Sequence, residues 1–283
     1  MKSPLAWLLV APPLATALVF FVAPVAYLFW VSLHTPSTSE LYGKALTIAN
    51  YANVLGDSFY LAIIRRTLGV AAAILGLCVL IGYPVAYMVA RLSPRRRMIA
   101  LLALLFPLMV SNVVRAYGWV ALLGRQGVIN NSLRDLRLTD APLDLLYTTP
   151  AVVVALMTIL LPYMTISIAN SLAALDRRYE EAAQALGASP WRTFVHVTLP
   201  LSTPGVASGM LLVFLLTLSA YVTITLLGGP RSKLLVSLVY DGVGAFQWPH
   251  AAALAFILLA IALAVTGIIL AILRPGRVQG ARR

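Results

Sequence analysis

Six apolar stretches, each long enough to cross a lipid bilayer, constrain this chain more than any other feature. They cover residues 7–33, 67–91, 98–123, 148–174, 204–228 and 251–273. A helix needs roughly 20 apolar residues to cross the hydrocarbon core, so each stretch predicts one spanning helix. Lys2 resembles the start of a signal peptide, but the uncharged run from Ser3 to Leu33 is longer than a signal-peptide core. We therefore expect a retained first span and an all-α membrane protein with six transmembrane helices.

The composition agrees with lipid as the main solvent. Charged residues make up 11% of the chain, against about 25% in a typical soluble domain. The formal charge of +12 is not gathered into a basic stripe with interleaved aromatic residues, so nucleic acid is not an expected partner. The single cysteine, Cys78, lies in an apolar run, which excludes a disulfide framework and a cysteine-based metal site.

The distribution of basic residues predicts the orientation in the membrane. If the N-terminus is inside, twelve Lys and Arg residues fall in the inner segments and eight in the outer ones. Six of the nine acidic residues fall outside. Cytoplasmic loops of membrane proteins carry the excess of Lys and Arg, so both termini are expected to be cytoplasmic.

One inner segment, residues 176–200, is predicted to form two short capped helices. Asp176 suits the cap of the first helix, and Gly187 suits the left-handed position that follows a helix. Ser189 is expected to cap the second helix, with Pro190 in its first turn.

The second helix is expected to end at Pro200, and its apolar stripe is predicted to consist of Trp191, Phe194 and Val195. The small residues of the first helix would let a partner backbone approach closely, and the charges beside them would fix its register. These features fit a docking element for a soluble partner. An amphipathic helix resting on the membrane surface fits the same residues.

The spacing within this segment resembles the EAA loop of ABC importer permeases. Glu181-Ala182-Ala183 is followed after three intervening residues by Gly187. Nine further intervening residues lead to Val197, and one more leads to Leu199-Pro200. The family usually has Ile where this chain has Val197. The resemblance implies a type I ABC importer permease fold, with 1–283 as one transmembrane domain and 176–200 as a cytoplasmic coupling-helix loop. The ATPase-docking residues that it implies are Glu180, Glu181, Ala182, Ala183, Gly187 and Arg192.

Other motifs resemble the spermidine/putrescine-type branch of these permeases. They are Arg115-Ala-Tyr-Gly-Trp119, the run from Leu122 to Asn131, the run from Thr198 to Gly205, Leu226-Leu-Gly-Gly-Pro230 and Trp248-Pro249. The resemblance implies import of a polyamine or related small organic solute across the bacterial cytoplasmic (inner) membrane. It implies as partners two ATP-binding subunits, a second permease that is a similar chain or another copy, and an extracytoplasmic solute-binding protein.

No motif for chemistry is recognisable in this chain. It lacks the phosphate-loop pattern G-x-x-x-x-G-K-[ST], so ATP and Mg are expected to bind to the partner ATPase subunits. His34, His196 and His250 are far apart and have no metalloprotease spacing. No catalytic, cofactor-binding or metal residue is predicted, and the chain is expected to be a non-catalytic subunit.

Five polar or aromatic residues are candidates for the solute pathway: Arg115, Tyr117, Trp119, Tyr221 and Asp241. An ionisable residue within a span is by default a functional hypothesis. The position of Arg115 also suits snorkelling to the outer surface or an ion pair with Asp241. Tyr117 and Trp119 also fit interfacial anchors.

The predicted substrate and the predicted spans disagree in one respect. A polyamine is a polycation, and its site should offer carboxylates and aromatic faces. No Asp or Glu lies within the six stretches. Either a partner permease supplies the acid, or aromatic rings and carbonyls suffice, or the solute is different, and Arg115 would suit an anion. The alternative class is a secondary transporter, which would more often show internal repeats or ionisable coupling residues within its spans.

Overall fold

The structure is a computed structural model that describes residues 4–37 and 40–273, and these residues are almost entirely helical. Within them, the only strand-like pairing is an isolated antiparallel bridge between His34 and Leu46. The predicted all-α architecture is therefore confirmed.

The N-terminal part of the chain forms four helices, which are α1 (Pro4–Ala17), α2 (Ala23–Ser32), α3 (Ala49–Gly56) and α4 (Ser58–Arg91). A π-helical segment, Leu18–Val22, joins α1 to α2 without a break. At 1.5 Å per residue, the 34 residues of α4 reach about 50 Å, which exceeds the hydrocarbon thickness of a bilayer. Helix α4 is therefore long enough to extend beyond the lipid core.

The sequence predicts one spanning helix over 98–123, but in the structure this third apolar stretch is broken into two helices. The elements of this region are α5 (Pro94–Leu105), α6 (Asn112–Leu123), α7 (Val128–Asp135) and α8 (Thr149–Ala173). A 3-10 turn, Phe106–Met109, follows α5, and Val110 is extended. The Ser111 hydroxyl then caps α6 by accepting a hydrogen bond from the Val113 N–H at 3.3 Å. The helices on either side of this break meet at 86°.

The next region contains five helices: α9 (Arg178–Ala185), α10 (Pro190–Thr193), α11 (Leu199–Leu201), α12 (Thr203–Leu218) and α13 (Tyr221–Gly228). A π-helical segment, Phe194–Thr198, joins α10 to α11, so the helix continues through Pro200. The segment ends at Leu201, one residue after Pro200, where the sequence predicts its end. Proline breaks a regular α-helix by its clash with the carbonyl four residues earlier, and the wider π turn relieves that clash. The chain bends by 60° only before α12.

The last two described helices are α14 (Leu235–Gly244) and α15 (Trp248–Leu273). Among the described residues, four helical segments are long and apolar enough to cross a membrane: Ala11–Ser32, Ser58–Arg91, Thr149–Ala173 and Trp248–Leu273. Two bent pairs bring the number of candidate crossings to six if each pair counts once: Pro94–Met109 with Asn112–Asp135, and Pro190–Leu201 with Thr203–Leu218. Helix α14 is a shorter apolar helix.

The chain divides into two compact units. The first unit comprises 1–63 and 235–260. In it, the buried Asn50 side chain donates hydrogen bonds to the carbonyls of Ser32 and His34 at 2.9 and 2.8 Å, which holds α3 against the end of α2.

The second unit comprises 64–234 and 261–283, and its most extensive helix pair is α8 with α12. Gly205 and Gly209 lie one turn apart on α12 and let the two backbones approach closely. A Cβ on Gly205 would lie 2.9 Å from the Ser167 carbonyl oxygen and 2.3 Å from the Ser171 Cβ. This small-xxx-small contact is a common way to pack helices in membranes.

Candidate functional site

The N-cap position of α9 is Arg177, and the side chain that bonds the start of the helix comes from the preceding residue, the predicted Asp176. The Asp176 carboxylate accepts a hydrogen bond from the Arg178 N–H at 3.0 Å. After the helix, Gly187 adopts φ +89°. Its N–H bonds the Gln184 carbonyl at 2.9 Å, and the Ala188 N–H bonds the Ala183 carbonyl at 3.0 Å. These two bonds form a Schellman motif, which fixes the direction in which the chain leaves α9.

The second short helix is capped by Ser189, whose hydroxyl accepts from the Arg192 N–H at 3.4 Å, with Pro190 in the first turn. The predicted apolar stripe is divided between two environments. Trp191 is 72% exposed, whereas Phe194 is half-buried. Their rings stack with centroids 5.6 Å apart. Arg192 is also exposed.

The outward surface of α9 and its C-terminal turn is made of small residues beside one apolar side chain. Glu181, Ala182 and Gly187 are exposed, and Ala183 is half-buried. A Cβ added to Gly187 would meet no other group within 4 Å. Leu186, which sequence reasoning missed, is 90% exposed. Its position directly before the helix-ending glycine is the signal that could have identified it.

Glu180 differs from Glu181 because its carboxylate is already engaged within the chain. One oxygen contacts the Arg91 Nη2 at 2.5 Å, and the other accepts a hydrogen bond from the Thr198 hydroxyl at 2.6 Å. The Glu180 side chain is 19% exposed. The Arg91 guanidinium also lies over the Tyr87 ring, 4.4 Å from its centroid. These contacts could not be predicted from local patterns, because Arg91 and Glu180 are 89 residues apart in the chain.

Four of the five pathway candidates belong to the second unit. Arg115, Tyr117 and Trp119 lie on α6, and Tyr221 begins α13, which packs against α6. An Arg115 Nη2 hydrogen donates to the Asn112 side-chain oxygen, and the buried Arg115 Nε has no hydrogen-bond partner among the described residues.

Of the three candidates on α6, Arg115 and Trp119 are half-buried, and Tyr117 is 57% exposed. The fifth candidate, Asp241, is an exposed residue of α14 in the first unit. There it lines a pocket together with Phe59, Tyr60 and His250. The Tyr60 hydroxyl and His250 Nε2 are hydrogen-bonded at 3.0 Å.

The long apolar helices and the capped polar loop define a multi-pass membrane transport subunit. Residues 79–277 match the family described as the binding-protein-dependent transport system inner membrane component. The chain belongs to this family and is the permease component of an ABC importer.

One relative is the spermidine/putrescine transport system permease protein PotB of Haemophilus influenzae. It is 33% identical over 238 residues, which cover 83% of each chain. The PotB protein of Escherichia coli is 31% identical over 83% of this chain and 86% of its own length. A solved structure with the same fold belongs to a bacterial ABC transporter involved in the import of the acidic polysaccharide alginate. Its TM-score is 0.76 at 19% identity, with 96% of each chain covered.

Proposed function

We propose that this chain forms, with a second permease, the membrane pathway of a bacterial importer for polyamines or related small organic amines. The pathway would cross the cytoplasmic membrane with six spans, each bent pair counting as one, and both termini would be cytoplasmic. A solute-binding protein would deliver the solute from outside, and two ATP-binding subunits would bind ATP and Mg. The chain itself would be non-catalytic and hold no cofactor.

The observation that carries the coupling role is the exposed small-residue surface around Gly187. Ala182, Ala183 and Gly187 have small or no side chains, so they let the backbone of a partner protein approach the backbone of α9 closely. Glu181 places a negative charge beside this surface. Arg192 contributes a second charge at the edge of this surface. Since the two oxygens of Glu180 already have partners, we assign ATPase docking to the other five residues predicted from the sequence.

The coupling mechanism follows from this assignment. Closure of the ATPase pair on ATP would displace α9, and the helices that follow it would tilt to change access to the pathway. Such a permease is a two-state bundle, whose equilibrium is shifted by nucleotide on one side and by the loaded binding protein on the other. Arg115, Tyr117, Trp119, Tyr221 and Asp241 remain the proposed pathway residues.

The amine substrate is supported by the named function of the PotB relatives. The six apolar stretches of the sequence contain no carboxylate, so the second permease would supply the negative charge opposite the aromatic residues of this chain. An uptake assay with labelled spermidine, putrescine and an anionic solute such as molybdate tests this directly. Energy-dependent uptake of the amines alone supports the proposal, and uptake of the anion alone refutes the amine assignment.

Charge reversal tests the docking role. Glu181→Lys should abolish co-purification of the ATPase subunits and uptake, because it opposes the charge that the partner is expected to recognise. The matched control is Asp140→Lys, which makes the same change at an exposed residue in the turn before α8. If Glu181→Lys retains the ATPase and transports normally, the docking assignment fails.

A further inference from the structure

The inner end of α4 carries a stripe of side chains spaced by four residues. Tyr83, Tyr87 and Arg91 therefore lie on one face of the helix. Tyr83 and Tyr87 contact the segment that follows α9, and Arg91 bonds α9 itself. We call these residues, together with Glu180, Phe194, Thr198 and Ser202, the inner clamp.

The first part of the inner clamp is polar and centres on Glu180. Its carboxylate forms an ion pair with Arg91, the last residue of α4, at 2.5 Å. It also accepts a hydrogen bond at 2.6 Å from the hydroxyl of Thr198, the last residue of the π-helical segment. Glu180 itself lies in the first turn of α9. One carboxylate thus connects three separate elements of the second unit.

The second part of the inner clamp is aromatic. The Phe194 ring meets the rings of Tyr83 and Tyr87 edge-on, with centroids 5.7 Å away in both cases. The Tyr83 hydroxyl and the buried Ser202 hydroxyl are hydrogen-bonded at 2.8 Å. These contacts extend over two turns of α4, so they resist a rotation that a single contact would permit.

The Arg91 side chain is 43% exposed, and an exposed ion pair by itself contributes little to stability. In the inner clamp, the same carboxylate makes two short hydrogen bonds, and the guanidinium is also stacked on an aromatic ring. Together these contacts fix the relative positions of the helices more strongly than the ion pair alone would. The inner clamp is therefore suited to transmit a displacement rather than to hold the fold together.

We propose that Glu180 is a positioning residue that fastens the coupling helix α9 to the inner end of α4. Displacement of α9 by the ATPase is then carried to α4 through Arg91 and toward α12 through Thr198. This inference rests on the proposed coupling function of α9. It gives the adjacent glutamates different tasks: Glu181 meets the partner, and Glu180 passes the movement into the bundle.

A spin label at the end of α4 measures this transmission without reference to the solute. Cys78 is the chain's one cysteine, so a Cys78→Ala background accepts a label at Leu92→Cys, which follows α4 and is 37% exposed. In the assembled transporter, Mg and a non-hydrolysable ATP analogue should change the label's mobility. Glu180→Ala and Arg91→Ala should each remove most of this change, because the displacement of α9 would no longer be carried to α4. Both variants should keep the ATPase bound.

The exchanged pair Arg91→Glu with Glu180→Arg restores the opposite charges and should recover most of the nucleotide-dependent change. Thr198→Val removes only the hydroxyl donor at nearly constant volume, and it should reduce the nucleotide-dependent change in label mobility by less. This variant provides a readout if the Arg91 variant does not reach the membrane. An unchanged label response in Glu180→Ala and Thr198→Val would overturn the inference. Loss of the bound ATPase in Glu180→Ala would also overturn it, by making Glu180 a docking residue. Failure of the unmodified chain to retain the ATPase would instead refute the proposed function.

Discussion

Gly187 and Gly205 lie on either side of the turn into α12, and they need to be glycine for opposite reasons. Gly187 has a left-handed backbone at φ +89° and no neighbouring group where a side chain would extend. Gly205 has no such φ value, but the Ser167 carbonyl oxygen lies 2.9 Å from the position of a Cβ. The first glycine shapes a surface that is open to a partner, and the second closes a contact within the bundle. The coupling loop and the bundle therefore should respond differently to added volume.

A substitution at Gly205 should have the strongest effect, because it destabilises the folded helix bundle. Gly205→Leu forces α8 and α12 apart, because a backbone carbonyl cannot rotate away as a side chain does. Overpacking of this kind should cost about 3 kcal/mol of folding free energy, the upper end of the usual range, because the obstacle is backbone. The level of folded protein in the membrane and its thermal stability in detergent should both fall sharply. Gly76→Leu on α4, where a Cβ meets nothing within 4 Å, is the control and should change neither.

A substitution at Gly187 should affect the loop and leave the bundle intact. Gly187→Val places a branched side chain in a left-handed conformation, which costs about 1–2 kcal/mol even for an ordinary residue. We expect a normal amount of folded protein with at least a tenfold loss of ATPase binding, measured by titration of the solubilised permease. Gly187→Asn should be milder, because asparagine tolerates this conformation. Equal loss of folded protein in the Gly187 and Gly205 variants would remove the distinction between the two sites.

Leu186 tests whether the exposed surface of the loop has an apolar anchor. Leu186→Ala should weaken ATPase binding by about 1–2 kcal/mol. This is the expected loss if the Leu186 side chain is exposed in the free permease and becomes buried when the ATPase binds. Thermal stability of the free permease should not change, because the side chain is 90% exposed. Leu136→Ala provides a control at a residue that is 69% exposed and follows α7. ATPase binding that does not change in the Leu186 variant would exclude an anchor at this position.

The smallest effect is expected at the cap of α10. Ser189→Ala removes one hydrogen bond, and caps of this type contribute about 0.5–2 kcal/mol. The 3.4 Å distance to the Arg192 N–H places this cap at the lower end of that range. ATPase binding should weaken by roughly twofold, and Ser189→Asp should restore it because aspartate is an equally good cap. A loss as large as that of Gly187→Val would show that Ser189 contacts the partner directly.

Local chemistry predicted those parts of the molecule in which neighbouring residues determine the conformation. The cap at Ser189 and the left-handed Gly187 follow from such short-range preferences, and both are confirmed. Asp176 bonds the start of α9 as predicted, from one residue before the N-cap position. The break at Ser219–Ala220 between α12 and α13 has neither Gly nor Pro, so no local signal marks it. It depends on packing within the bundle.

The orientation of Glu180 also depends on contacts that are distant in sequence. Glu180 and Glu181 are adjacent and chemically alike, and the resemblance to the EAA loop implied docking for both. Arg91 and Thr198 distinguish them, since they approach Glu180 only after α4 and the loop are folded. The four-residue spacing of Tyr83, Tyr87 and Arg91 was visible in the sequence, but its partner segment was not.

Site-specific photo-cross-linking from Ala182 shows whether the exposed surface of α9 contacts an ATP-binding subunit. Ala182→Cys in the Cys78→Ala background would carry a benzophenone maleimide, with Asp140→Cys as the matched exposed control. We expect a cross-link from position 182 to the ATPase, with a yield that changes when Mg and an ATP analogue bind, and no such cross-link from position 140. Absence of an ATPase cross-link at position 182 in an assembled, transport-competent complex would contradict ATPase docking at α9.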